Sequence, residues 1–193
     1  MRDDIVLSVD QIQTINRRLG RQLTQRLKDE EKLPVVVAVM KGALFFYSDL
    51  VRQIKCPILL DFVKVSSYVG TQSTGHLKID RDISMDIQGR TVVLVEDVVD
   101  TGLTMYYLKE HLFSHYKPKQ ILIATLFDKK PLRKLEVDVD FCGKELDEPK
   151  FLMGYGLDYC ELDRNIPFVY SASEEDLERM NAVSYTHLTL PTN

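Results

Sequence analysis

The thirteen residues from Val92 to Thr104, VVLVEDVVDTGLT, constrain the fold more than any other stretch of the chain. Val92, Val93, Leu94 and Val95 form a continuous, mostly β-branched run, the pattern of a strand covered on both faces within a parallel sheet. Glu96 and Asp97 follow at once, then Asp100, then a Thr101-Gly102-Leu103-Thr104 turn into helix-forming sequence. In an open parallel sheet, ligands bind outside the carboxyl ends of the strands, and this run deposits its polar groups at such an end. Thr101, Gly102 and Thr104 offer backbone N–H groups, hydroxyls and a helix N-terminus, a combination suited to a phosphate. Glu96 and Asp97 are hard oxygen donors, suited to a diol or to a magnesium-bound pyrophosphate. The plain alternative is a solvated acidic loop after a strand, and the length of the pattern weighs against it.

The remaining segments alternate strand and helix. Ser8 and Gln11 form a capping box ahead of Ile12, Ile15, Leu19, Leu23 and Leu27 at helical spacing. Lys28 to Lys32 is a charged exit, and Val35 to Val39 is a buried strand running into Met40-Lys41-Gly42. An apolar helix through Leu44, Phe45, Phe46, Leu50 and Ile54 precedes a strand from Pro57 to Val65. Between Ser66 and Arg90 no ordered element is assignable, and so long a polar segment is either a functional loop or disorder. A helix with Met105, Leu108, Leu112 and Phe113 stops at Lys117-Pro118, and Gln120 to Leu126 is a further strand that delivers Lys129, Lys130 and Arg133 at its end. Val137 to Phe141 alternates and predicts an edge strand, Pro167 to Tyr170 a closing strand, and Glu174 to Met180 a terminal helical turn. Such alternation predicts an α/β fold with a doubly wound parallel sheet.

Composition narrows the function classes. Of 193 residues, 45% are hydrophobic and 28% charged, which fits a single domain, assigned here to residues 1–181. A net charge of -4 disfavours partners such as nucleic acid or an anionic membrane. No apolar run approaches the ~20 residues of a membrane span, and the acidic start Met1-Arg2-Asp3-Asp4 is not a secretory leader. Cys56, Cys142 and Cys160 form no CxxC pair, which predicts free thiols and a cytoplasmic location. His111 and His115 stand i,i+4 without the Glu of HExxH, so they are read as packing or surface groups. Gly154-x-Gly156 does not complete GxGxxG, and no P-loop motif occurs. Residues 182–193 carry no Asp, Glu, Lys or Arg and no helical periodicity, and are read as a non-native tail.

The run Val92–Thr104 resembles the ribose-phosphate signature of the type I phosphoribosyltransferases, in which two acids, two apolar residues and Asp-Thr-Gly-x-Thr follow a strand. The order of the other segments is similar to the 6-oxopurine branch of that family over about residues 5 to 170. The resemblance implies a small hood over the carboxyl edge of the sheet. It also implies magnesium-dependent transfer of 5-phosphoribosyl from phosphoribosyl pyrophosphate to N9 of hypoxanthine or guanine. The products would be IMP or GMP and pyrophosphate, within purine salvage. It implies a role for each matching residue. Lys41 and Gly42 would form the pyrophosphate loop, where the family often has a non-proline cis peptide, and Ser67 and Tyr68 would belong to a lid. Glu96 and Asp97 would meet the ribose hydroxyls and magnesium, with Asp158 on a second magnesium. Asp100 would be the general base for purine N7, and Asp100, Thr101, Gly102, Leu103 and Thr104 would cradle the 5-phosphate. Lys129, with Lys130 as its alternative, would meet the exocyclic oxygen of the purine. Phe151 would stack on the base, the Leu152 backbone would read its edge, and Arg133 and Arg164 would face pyrophosphate. A homodimer or homotetramer is the family expectation. Rival readings are an RNA-binding regulator on the same fold, disfavoured by Asp100 and the acidic pI of 5.6, and a phosphorylated receiver, whose acids should follow the first strand. A xanthine-preferring member of the same branch is the nearest competitor.

Overall fold

The computed structural model describes residues 4–67 and 77–188. The chain enters through a short strand, β1 (Ile5–Leu7), and Ser8 caps the helix α1 (Val9–Leu27). The capping box is reciprocal: Ser8 Oγ accepts the Gln11 N–H, and Gln11 Oε1 accepts the Ser8 N–H at 2.8 Å. The β-branched runs then form β2 (Val35–Met40), β3 (Leu59–Ser67), β5 (Thr91–Val99) and β6 (Gln120–Asp128). Between them lie α2 (Leu44–Val51), an edge strand β4 (Leu77–Arg81) and α3 (Leu103–Tyr116). After β6 come a 3-10 turn (Lys130–Leu132), β7 (Phe141–Glu145), β8 (Leu152–Met153), β9 (Val169–Ser171) and α4 (Glu174–Leu188).

The main sheet has the order β4-β3-β2-β5-β6-β7. Only β4 runs antiparallel to its neighbour. The connection from β2 leads to β3 on one side, whereas β5 leads to β6 and β7 on the other. The carboxyl ends of β2 and β5 therefore flank the switch point, where such sheets open a crevice. Successive strand residues face opposite ways, so each strand feeds two cores. Val36, Val93, Val95 and Leu126 pack with Leu19, Leu23, Phe46 and Leu50 from α1 and α2. Val35, Val37, Leu94 and Ile123 pack with Met105, Leu108 and Leu112 from α3.

A second sheet, ordered β1-β9-β8, forms the hood. Met153, Tyr170 and Met180 are its buried centre, and Met180 ties α4 to it.

The structure corrects several sequence expectations. Asp61, buried on β3, accepts the Ser84 and Met85 N–H groups at 2.6 and 2.9 Å, so the segment after β4 is held rather than open. Part of the stretch expected to lack order is thus the strand β4. Strand β5 runs on to Val99, so Glu96 and Asp97, read as following the strand, lie within its carboxyl end. The strand expected at Val137–Phe141 begins at Phe141 instead. Helix α4 continues to Leu188, past Ala182, where no helical periodicity was legible. The histidines are a packing and a surface group: His111 Nε2 lies 2.6 Å from Asp82 Oδ2, which also accepts the Tyr116 hydroxyl, and His115 is exposed. The three cysteines are free thiols. Among the described residues no helix is long and apolar enough to cross a membrane.

Candidate active site

The acid pair sits at the switch point. Glu96 is 8% exposed and accepts the Asp97 N–H at 3.1 Å, while Asp97 Oδ1 accepts the Val98 N–H at 2.8 Å. Burial pushes the Glu96 carboxyl well above the usual carboxylate range, and the Asp97 charge beside it adds to the shift. Gly42, at the end of β2, lies against the Asp97 carboxylate so closely that a Cβ there would overlap it. Two hard carboxylates held this close to each other suit a small divalent cation that takes its remaining ligands from substrate oxygens and water. Replacing Glu96 with Gln should relieve the buried charge and stabilise the metal-free protein by about 1–3 kcal/mol. Thermal melts in chelator and in magnesium check this: the variant should melt higher in chelator and lose any magnesium-dependent gain seen in the parent.

The turn after β5 is an open cradle. Gly102 is the N-cap of α3 at φ 81° and supplies no side-chain cap, which leaves the Thr104 and Met105 N–H groups without a partner among the described residues and open to a ligand. Hydrogen bonds to the Thr101 carbonyl from Lys134 N at 2.8 Å and Leu135 N at 3.1 Å fix the turn from behind. The Thr101 hydroxyl accepts the Leu103 N–H at 3.4 Å. Asp100 is half-buried, and its carboxylate makes no hydrogen bond or ion pair among the described residues.

On the β2 side, the Met40–Lys41 peptide is cis. Hood residue Gly156 rests on the Gly42 carbonyl with no room for a Cβ. Arg164 donates from Nη1 to the Gly156 carbonyl at 2.7 Å and pairs through Nη2 with Asp158 at 2.8 Å. Glu161 joins this group: its Oε2 lies 3.0 Å from Lys41 Nζ and 3.2 Å from Arg164 Nη2. The hydrogen bond from Lys41 holds the Glu161 carboxyl below its usual range. Tyr155 anchors the same segment. Its hydroxyl donates to Asp49 Oδ2 at 2.7 Å and accepts from Asn16 Nδ2 at 3.0 Å, linking the hood to α1 and α2.

On the β6 side, Lys129 is 8% exposed, and its Nζ donates to the Lys150 carbonyl at 2.7 Å. Lys130 turns outward to Glu145, so the two lysines left open by the sequence part company. Phe151 is exposed and stands edge-on to Tyr159, with ring centroids 5.6 Å apart. Leu152 lies in β8 beside Ser171.

The structure gathers Lys41, Gly42, Asp97 and Arg164 through contacts that pass from β2 and β5 to the hood. It places Thr101–Thr104 and Lys129 on the neighbouring strand ends, where Lys129 N donates to the Val99 carbonyl. One expected residue stands elsewhere. Arg133 is buried, ion-paired with Asp128 and packed against Gly102, so it backs the phosphate turn instead of facing pyrophosphate as a free cation. Asp158 is engaged by Arg164, and among the described residues no three His, Cys, Asp or Glu side chains cluster as a metal site. Glu96 and Asp97 are the adjacent acids that would hold a magnesium ion, with substrate oxygens completing its shell. Ser67 ends β3, and Tyr68 lies outside the described residues. Glu161 and Tyr155 carry no motif of their own and were not read as site residues, since only the folded hood brings them to β2 and α2.

A sheet with its acid pair and open helix N-terminus at the switch point is the architecture of a phosphoribosyl-binding protein, and the chain belongs to the phosphoribosyltransferase family. The phosphoribosyl transferase domain matches residues 7–160. The chain is 40% identical over 168 residues to hypoxanthine-guanine phosphoribosyltransferase of Bacillus subtilis (strain 168), covering 86% of this chain and 91% of that protein. It is likewise 40% identical over 172 residues to the enzyme of that name from Streptococcus thermophilus (strain CNRZ 1066), covering 89% and 93%. The crystal structure of a hypoxanthine phosphoribosyltransferase from Staphylococcus aureus superposes with a TM-score of 0.84 at 37% identity, covering 90% of this chain and 92% of that one. Within its family the chain falls among the hypoxanthine-guanine phosphoribosyltransferases.

Proposed function

We propose that this chain transfers the 5-phosphoribosyl group of phosphoribosyl pyrophosphate to N9 of hypoxanthine or guanine. The products are IMP or GMP, with pyrophosphate as the leaving group. The observation that carries this is one sheet edge bearing the acid pair, an uncapped helix N-terminus and a buried lysine at the ends of adjacent strands. Departure of pyrophosphate leaves positive charge on the ribosyl carbon, so the chemistry turns on charge placement rather than on a covalent intermediate. Thr101 to Thr104 hold the 5-phosphate through backbone N–H groups and hydroxyls at the start of α3. Asp100, without a hydrogen-bond or ion-pair partner among the described residues, takes the N7 proton as N9 attacks. Glu96 and Asp97 orient the ribose hydroxyls and are the residues that would hold magnesium. When bound, that ion supplies charge neutralisation for the pyrophosphate as it departs. Lys41 and Arg164 bind the pyrophosphate itself, and Phe151 stacks on the purine.

The buried Lys129 selects a 6-oxopurine. Its ammonium is a donor only, so it pairs with a carbonyl oxygen and rejects the exocyclic amine of a 6-aminopurine. In the free protein the Lys150 carbonyl occupies it. The setting is the cytoplasm, within purine salvage, and the working form is a homodimer or homotetramer. Lys129→Met tests the base assignment. The KM for hypoxanthine should rise about 10- to 100-fold, as for loss of a hydrogen bond to a charged group, while the KM for phosphoribosyl pyrophosphate stays within about twofold. An unchanged hypoxanthine KM would remove Lys129 from base recognition.

A further inference from the structure

Lys41 and Arg164 come from opposite sides of the crevice, one from the end of β2 and one from the hood, yet both converge on a single oxygen. Glu161 Oε2 lies 3.0 Å from Lys41 Nζ and 3.2 Å from Arg164 Nη2, and it accepts from Arg164 Nε at 3.3 Å. Its loop is fixed from behind, because the Glu161 N–H donates to Asp158 Oδ2 at 2.8 Å, and Asp158 Oδ1, also at 2.8 Å, shares Arg164 Nη2 with Glu161. An ammonium and a guanidinium have a fixed number of donors and no acceptors. A carboxylate and a phosphate compete for them directly. The Glu161 side chain is 62% exposed, so it can swing into water when another anion arrives.

We propose that Glu161 is a built-in competitor of pyrophosphate: it neutralises Lys41 and Arg164 while the site is empty, yields them when phosphoribosyl pyrophosphate binds, and returns as pyrophosphate leaves. The proposal rests on the assignment of Lys41 and Arg164 to pyrophosphate made above. It confines the effect to ligands that carry a pyrophosphate group. The purine, held by Lys129 and Phe151, and the 5-phosphate, held by Thr101 to Thr104, meet other donors.

Titration calorimetry with magnesium pyrophosphate on the parent protein, Glu161→Gln, Lys41→Met and the double variant tests it. Glu161→Gln keeps the side-chain size and removes the charge. It should bind pyrophosphate about 1.5- to fivefold more tightly, the range for exposed ion pairs. It should lower the KM for phosphoribosyl pyrophosphate in parallel and leave the KM for hypoxanthine within about twofold. In the Lys41→Met background the gain from Glu161→Gln should shrink, because one of the two contested cations is gone. Equal or weaker pyrophosphate binding by Glu161→Gln, with Lys41→Met clearly impaired, would overturn the competitor role alone and make Glu161 a group that orders the two cations. Parent-like pyrophosphate binding by Lys41→Met would overturn the assignment of Lys41, and this proposal with it.

Discussion

Asp100→Asn should lower kcat by about 10²- to 10⁴-fold, the usual contribution of a positioned general base, with little change in melting temperature. The amide is nearly isosteric with the carboxylate but cannot accept the N7 proton. The Asp100 carboxylate makes no hydrogen bond or ion pair among the described residues, so its replacement removes no structural contact. The KM for phosphoribosyl pyrophosphate should stay within a few-fold, because the phosphate turn is shaped by Thr101, Gly102 and the backbone behind them. Steady-state kinetics beside a thermal melt check the point. A drop of less than tenfold would mean that the proton leaves directly to water. A large loss of melting temperature would mean that Asp100 serves the fold.

Gly102→Ala should be the most damaging single-methyl change in the site. Gly102 stands at φ 81°, a region that costs a non-glycine residue about 1–2 kcal/mol. Its Cβ would also overlap the Leu135 carbonyl and press on the Arg133 side chain. Neither neighbour yields readily: Leu135 N is bonded to the Thr101 carbonyl, and Arg133 is buried and ion-paired with Asp128. Forced overpacking adds about 1–3 kcal/mol, so a total loss of about 2–5 kcal/mol is expected, with the KM for phosphoribosyl pyrophosphate raised at least ~10-fold as the cradle shifts. Gly89→Ala is the control. Gly89 has a similar φ of 66°, but the nearest atom to its Cβ would be the Lys32 Nζ at 3.2 Å, the far end of a flexible side chain. It should cost about 1–2 kcal/mol and leave turnover unchanged. Equal kinetic effects in the two variants would show that the loss comes from strain in general and not from the phosphate turn.

The parts of the site legible in the sequence are those whose chemistry is local. Val92 to Thr104 combines strand, acids and helix start in adjacent residues, and Met40-Lys41-Gly42 joins a strand end to a turn. The parts that escaped depend on distant partners. The resemblance places Arg133 at pyrophosphate, yet parallel pairing of β5 with β6 brings it under Gly102, where it also pairs with Asp128 at the end of its own strand. The resemblance gives Asp158 a second magnesium, and its pairing with Arg164 comes only with the folded hood. The same holds for the fold. Strand β4 is a short, charged edge whose order rests on pairing with β3 and on the Asp61 bonds beyond it, neither visible as periodicity. Val137 to Phe141 alternates like a strand, but Asp140 Oδ2 accepts the Ile123 N–H at 2.8 Å and so stands in for a partner strand beside β6. Regular pairing begins only at Phe141. Strands β1, β8 and β9 span two or three residues each, too few to show a period.

The most direct test of phosphoribosyl transfer to a 6-oxopurine is a turnover assay. The protein is supplied with phosphoribosyl pyrophosphate and magnesium and offered hypoxanthine, guanine, xanthine and adenine in turn, with nucleotide and pyrophosphate both quantified. Hypoxanthine and guanine should each yield their monophosphate with one pyrophosphate per nucleotide, adenine should not react, and chelation should stop the reaction. Preference for xanthine would keep the mechanism and change the base. No turnover of any purine, with phosphoribosyl pyrophosphate still bound, would contradict the account.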